Sequence, residues 1–268
     1  MWLWRAPVRA YLSSVTGEES SWEQIKGFGR LIVLRLTRPP LQLEPYAPIA
    51  NAGVNPFGIN TFLEQEVELQ KLELAVRMIH EAGFRWIRQE FPWEDIEQSA
   101  RGDFWDHKWN VSAWEKYDRI VELANRYGLQ IIARLGNPPA WSRADGDARG
   151  TFAPPDKFED FGNFVYTIVS RYQGKVKYYQ IWNEPNIYPE WGEQPVDAAG
   201  YVRLLQIAYR RAKEADPECV ILSAGLAQTL ETGPRNLNDL TYLQQMYDAG
   251  MNGCFDIMGV MAYGLWTG

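Results

Sequence analysis

The chain is poor in the residues that most often announce a chemistry. Its 268 residues include two cysteines, Cys219 and Cys254, and two histidines, His80 and His107. Two cysteines so far apart make neither a disulfide framework nor a metal-type cluster. They stand just before two neighbouring predicted strands, so pairing is geometrically open to them, but two buried free thiols is the favoured reading. A histidine-rich metal site is excluded, and a Ser-His-Asp triad is poorly supported. No apolar run reaches the length of a membrane-spanning helix. The start, MWLWRAPVRAYL, lacks the continuous apolar stretch and small-residue cleavage site of a signal peptide. The compartment, inside or outside the cell, stays open. Basic residues are also short: 27 against 34 acidic ones, a net charge of −7, which argues against a nucleic-acid partner.

Aromatic residues, in contrast, make up 14% of the chain, with 12 tryptophans. Flat apolar rings near polar groups suit ligands with apolar faces of their own, as sugars have. For any single tryptophan, however, a core position is the better expectation.

Residues 1–50 read as an N-terminal appendage. Ser21 and Gln24 make a capping box, Ile25, Phe28, Ile32 and Leu36 recur at helical spacing, and Pro39-Pro40 ends the run. Lys26, Arg30, Arg35 and Arg38 make this helix basic. Membrane contact through residues 21–38 is open to it, but packing against the main domain is favoured. A proline-rich linker follows from 39 to 56.

Residues 51–268 form the second unit, and from about residue 57 strand and helix alternate. Strands are predicted at 57–62, 85–91, 130–136, 176–184, 219–225 and 255–263. Helices are predicted near 66–82, 112–127, 157–172, 197–215 and 238–249. Gly83 and Gly128 fall where helices should stop, and Leu204, Leu205, Ala208 and Ala212 share one helical face. This alternation implies parallel strands with right-handed crossovers. No Gly-x-Gly-x-x-Gly follows the first strand, so a dinucleotide-binding sheet loses ground to a (β/α)8 TIM-type barrel. Only about six βα units are present, where such a barrel has eight. The barrel is therefore expected to be incomplete at its C-terminus, as in a truncated gene product.

The stretch YYQIWNEPN, residues 178–186, carries the most chemistry. A buried strand ends in Asn183, Glu184 and Pro185. Pro185 disfavours helical geometry at Glu184, so the carboxylate stands at an extended strand tip, where barrel enzymes build their sites. A carboxylate beside an amide suits general acid/base work on a sugar linkage; a capped strand end with a solvated glutamate is the plainer alternative. Period-two alternation puts Trp182 on the side of Glu184 and Asn183 on the other, unless the strand bulges there.

With FGINTF (57–62), WIRQEFPWEDIE (86–97) and ARLGNPPAW (133–141), this stretch resembles the clan A glycoside hydrolases, of the cellulase-like family 5 and β-xylosidase-like family 39 type. The likeness spans residues 55–268, and Asn-Glu-Pro is its most specific element. The resemblance implies a retaining glycosidase acting on a poly- or oligosaccharide, with no organic cofactor and no metal. In it Glu184 matches the general acid/base and Asn183 the neighbour that touches the sugar 2-hydroxyl. Arg88 matches a group that orients the nucleophile; a salt bridge to Glu90 or Glu94 is its structural alternative. Tyr263 matches a hydroxyl that touches the nucleophile, with a core position as its alternative. Glu90 is assigned to substrate binding or a structural pair. Trp93, Asn137, Trp141 and Trp266 are loop residues suited to sugar contact, with Trp105, Trp109, Trp191 and His107 in the same group. The nucleophile itself would stand on a seventh strand, and no such strand is found. Glu190, Glu193, Glu214, Glu218 and Glu231 fall in loops or helices. A catalytically inactive, carbohydrate-binding remnant is therefore the alternative function. A barrel of aldolase or phosphate-binding type needs a strand-tip lysine or a glycine-rich phosphate turn, and neither is found.

Overall fold

The computed structural model describes residues 5–37, 51 and 53–263. Two helices come first, α1 (Arg5–Thr16) and α2 (Ser21–Thr37). The alternating part then runs β1 (Gly58–Thr61), α3 (Leu69–Glu81), β2 (Trp86–Pro92), the single turn α4 (Trp93–Ile96), a small hairpin of β3 (Trp105–Asp106) and β4 (Val111–Ser112), and α5 (Glu115–Arg126). It continues with β5 (Gln130–Gly136), α6 (Phe158–Arg171), β6 (Tyr178–Ile181), α7 (Ala198–Ala215), β7 (Val220–Leu222) and α8 (Asp239–Asp248).

The main sheet has the order β1-β2-β5-β6-β7, and every pairing is parallel. Each strand thus lies beside its predecessor among the long strands, with helices crossing over outside, as a (β/α) barrel requires. On β2, Ile87, Gln89 and Phe91 are buried and alternate with half-buried Arg88, Glu90 and Pro92. Phe91 meets Tyr117 of α5 at 5.1 Å between ring centres, so the buried set faces the helices and Arg88 and Glu90 face inward.

The five predicted helices of the barrel form close to their expected limits. Gly83 and Gly128 follow α3 and α5 at φ +90° and +66°, a left-handed turn that stops a helix and favours glycine. Leu204, Leu205, Ala208 and Ala212 are fully buried along α7. The Asp197 side chain caps α7 by accepting from the Gly200 N–H at 2.8 Å.

The predicted sixth strand is corrected. Residues 255–263 take the sixth barrel position but form only an isolated parallel bridge, Leu222 with Ile257. Asp256 and Ile257 still donate to the Ile221 carbonyl, and Ser223 donates to the Ile257 carbonyl. Ile257 and Val260 are exposed. A segment with one neighbour keeps register without a continuous ladder.

The appendage also differs from expectation. The apolar positions Ile25, Ile32 and Leu36 of α2 are exposed, and its buried residues are Gln24 and Gly27. A Cβ on Gly27 would lie 3.0 Å from Thr16 of α1, so α2 leans on α1 through its small face. The linker at 39–50 lies outside the described residues. Among the described residues no helix is long and apolar enough to cross a membrane. Cys219 and Cys254 are buried and unpaired.

Candidate active site

The C-terminal strand tips open into a cleft of about 360 Å³ lined by Asn60, Thr61, Phe62, Arg88, Glu90, Arg134, Asn183, Glu184, Glu190, Met261 and Tyr263. Of the residues singled out in sequence, it therefore gathers Arg88, Glu90, Asn183, Glu184 and Tyr263.

Strand register explains much of this grouping. Asn60 is opposite Arg88, Glu90 opposite Arg134, and Arg134 opposite Gln180. Arg134 forms an ion pair with Glu90, both side chains nearly buried. This is the structural pair foreseen for Glu90. Arg88 takes neither of its foreseen carboxylate partners but donates to three amides: Gln180 Oε1 at 2.7 Å, Asn183 Oδ1 at 2.8 Å and Asn60 Oδ1 at 3.3 Å. Burial and the facing Arg134 lower its proton affinity, which Tyr263, Glu90 and Glu184 counter.

The tip of β6 departs from simple alternation. Trp182 has φ +72°, a left-handed conformation that costs a non-glycine residue about 1–3 kcal/mol. Burial of its ring, a bond from its backbone N–H to the Leu135 carbonyl (2.8 Å) and one from its Nε1–H to the Glu190 carbonyl (2.6 Å) hold it there. The twist turns the chain so that Asn183 and Glu184 both line the cleft. The Asn183 amide is held at both ends, accepting from Arg88 and donating to Glu190 Oε1 at 2.8 Å. Glu184 is half-buried. That burial, with the neighbouring Glu190, raises its proton affinity above the usual carboxylate range, while Arg88 and Arg134 pull it back.

Several expected sugar contacts are corrected. Trp93 is fully buried, stacks on Phe164 at 5.5 Å and donates through Nε1 to Glu97 at 2.5 Å. Trp141 packs edge-on to Trp93 at 5.4 Å and donates to the Glu97 carbonyl. Trp191 is buried between Trp182 and Tyr201. Asn137 sits in a left-handed turn at φ +54° and accepts through its carbonyl from the Glu94 N–H. These loops fold back onto the strand tips and bury their own aromatic residues. His107 pairs with Asp103 away from the cleft. Trp105 and Trp109 are exposed on the β3–β4 hairpin, and Trp266 lies outside the described residues.

Arg134 and Glu190 are the charged cleft residues that sequence reasoning did not place in the site. Arg134 had a signal, since pairing the two apolar runs puts it opposite Glu90. Glu190 had none, because its place depends on how the loop after β6 folds back.

A parallel β/α sheet with a cleft of carboxylates, arginines and amides at its strand tips defines a protein of the (β/α)-barrel class. The chain belongs to glycosyl hydrolase family 5, since the family model Cellulase (glycosyl hydrolase family 5) matches residues 48–231. It is 28% identical over 111 residues to a 6-phospho-beta-glucosidase of Clostridium longisporum, covering 41% of this chain and 22% of that protein. Among solved structures it is similar to a family 39 glycoside hydrolase from Bacteroides cellulosilyticus WH2, with TM-score 0.55 and 20% identity, over 76% of this chain and 37% of that one. It is also similar to a family 39 beta-xylosidase from Caulobacter crescentus, with TM-score 0.54 and 18% identity, over 78% of this chain and 46% of that one. At these identities the structural likeness carries the fold, a TIM-type barrel with about six units in this chain. The chain spans about a fifth of the length of that curated relative and less than half of each of these solved chains.

Proposed function

We propose that this protein takes part in hydrolysis of β-linked glycosidic bonds by a retaining mechanism, with Glu184 as general acid/base. The observation that carries the proposal is the Glu184 carboxyl itself: half-buried in the cleft, beside an amide held at both ends, with its proton affinity raised. An acid that binds its proton more tightly than a solvated carboxyl is suited to hand it to the leaving glycosidic oxygen as the bond breaks. The Asn183 amide stands ready for a sugar hydroxyl, and Arg88 anchors that amide. A retaining enzyme attacks with a second carboxylate roughly 5–5.5 Å from the first. Glu90 is held by Arg134 in an ion pair, which counts against it as the attacking group. The nucleophile is therefore assigned to a strand position beyond the sixth, as the family resemblance implies. Names such as beta-xylosidase and 6-phospho-beta-glucosidase among the similar proteins make β-glycosides the first substrates to try. Residues 1–50 we assign as an appendage to the barrel of residues 51–268.

Among the described residues the other strand-tip carboxylate of the cleft, Glu90, is held by Arg134. That observation favours a second reading, in which the chain holds a sugar without cleaving it. A panel of aryl β-glycosides separates the two, with binding followed by calorimetry and hydrolysis by release of the aryl group. Hydrolysis that Glu184→Gln reduces about 10²–10⁴-fold supports the first reading. Hydrolysis left near wild-type by that substitution removes Glu184 from the mechanism. Binding with no hydrolysis supports the second reading, and neither binding nor hydrolysis sinks both.

A further inference from the structure

We infer that Glu190 is a positioning residue for the Asn183–Glu184 pair: it holds the Asn183 amide in one orientation and sets a negative charge beside the Glu184 carboxyl. The inference rests on the proposed role of Glu184.

Glu190 lies six residues beyond Glu184, where the loop after β6 returns to the strand tip. It makes two attachments there. Its backbone carbonyl accepts from Trp182 Nε1 at 2.6 Å, and its carboxylate Oε1 accepts from Asn183 Nδ2 at 2.8 Å. The second contact decides how the amide points. Arg88 can only donate and a carboxylate can only accept, so Asn183 must turn its oxygen to Arg88 and its NH₂ to Glu190. One N–H and one lone pair of the amide remain for a ligand. An Asn183 tethered by Arg88 alone would keep its oxygen in place but lose the hold on its NH₂.

The charge arrangement gives Glu190 its second effect. Four charged residues line the cleft with Glu184: Arg88 and Glu90 from β2, Arg134 from β5, and Glu190 from the loop. The titratable hydroxyl of Tyr263 faces the same space from the sixth-position segment. Glu90 is neutralised by Arg134, and the Arg88 guanidinium is spread over three amides. Glu190 is bonded to an amide rather than a cation, so its negative charge is left facing Glu184. A like charge disfavours ionisation of its neighbour. Glu184 is thus biased towards its protonated form, which suits donation to the glycosidic oxygen, and the resulting carboxylate, facing Glu190, suits taking a proton from the attacking water in the second step.

The test is a titration that needs no turnover. Glutamate labelled with ¹³C at Cδ is introduced into the 268-residue protein, and the Glu184 resonance is identified by its loss in Glu184→Gln. Glu190→Gln keeps the shape and an acceptor oxygen for Asn183 but removes the charge. The Glu184 midpoint is expected to move to lower pH in Glu190→Gln and to stay above that value in Glu190→Asp. Glu193→Gln, which neutralises an exposed carboxylate in the next stretch of loop, should leave it in place. An unchanged or higher midpoint in Glu190→Gln overturns the inference, as does an equal downward shift in Glu193→Gln. Should Glu190→Gln fail to fold, Glu190→Ser reads the same midpoint by the same criteria. In any form that hydrolyses an aryl glycoside, Glu190→Gln should also move the alkaline limb of the pH profile to lower pH. Retained activity in Glu184→Gln defeats the proposed function without altering the titration, so the two failures are distinguishable.

Discussion

The middle of the sheet and its two rims are built to different standards. Strands β2, β5 and β6 each pair on both sides, and they deliver Arg88, Glu90, Arg134 and, just past the last strand, Asn183 and Glu184. At one rim, among the described residues, β1 pairs only with β2, and Gly58, Ile59 and Asn60 are exposed. At the other, residues 255–263 hold to β7 through a single bridge. The rims supply the rest of the cleft: Asn60, Thr61 and Phe62 on one side, Met261 and Tyr263 on the other. The Asn183–Glu184 end of the cleft is thus fixed by a doubly paired, aromatic-backed core. The remaining walls stand on backbone whose outer hydrogen-bonding edges, among the described residues, have no partner strand, a feature sheets normally cover. The contrast between middle and rim is measurable.

The largest effect should come from Trp93, at the tip of β2. Its ring is fully buried, stacked on Phe164 and edge-on to Trp141, and its N–H is bonded to Glu97. Trp93→Ala removes a large ring where the surroundings cannot collapse and leaves Glu97 short of a donor. It should cost about 3–5 kcal/mol in urea unfolding. A cost near that of a surface change would mean that the middle is no better packed than the rims.

A smaller effect, with a pH sign, comes from the next residue. Burial pushes the Glu94 carboxyl up to about 7, helped by Asp147 and Asp95 and opposed by Arg143. A carboxyl that binds its proton more tightly in the folded state than at its ordinary value of 4.5 favours the fold at low pH. That contribution is complete below the ordinary value and is lost as pH rises through about 7. The wild-type protein should therefore lose more stability between pH 5 and 8 than Glu94→Gln does, read as the change in urea midpoint of each. Equal changes in the two proteins would show that Glu94 titrates as a solvated group.

The middle was also the more legible part. Parallel order, helix limits at Gly83 and Gly128 and the buried face of α7 followed from periodicity, because a paired strand or packed helix must repeat its apolar positions. The place of Glu184 at a strand tip was legible for the same reason: a long apolar run ended abruptly in a carboxylate and a proline. Features set by a single backbone torsion were not. The left-handed Trp182 decides that Asn183 and Glu184 share the cleft, and no pattern marks it. Trp93, Trp141 and Trp191 were misassigned because a ring in a loop is buried or exposed according to how the loop folds back, which composition does not record. The β3–β4 hairpin, two residues on each side, was too short to leave a period. At the rim, residues 255–263 had the composition of a strand but lack the second neighbour that completes one.

The smallest effect should fall on the rim itself, and it tests whether the rim is open in solution. Ile59 is the middle apolar residue of β1 and is 39% exposed. A side chain already in water gains little from the fold, so Ile59→Ala should change stability by about 0.5 kcal/mol or less in the same urea assay. Its position opposite Ile87 in the register would otherwise make it a core residue, since Ile87 is fully buried. A cost of about 2–5 kcal/mol, the range for a buried isoleucine, would mean that further polypeptide covers β1 in solution. The concentration dependence of that cost then separates the sources. A loss that shrinks as the protein is diluted points to a second copy against the β1 edge, because an intermolecular contact is governed by mass action. A loss independent of concentration points to cover from within one chain.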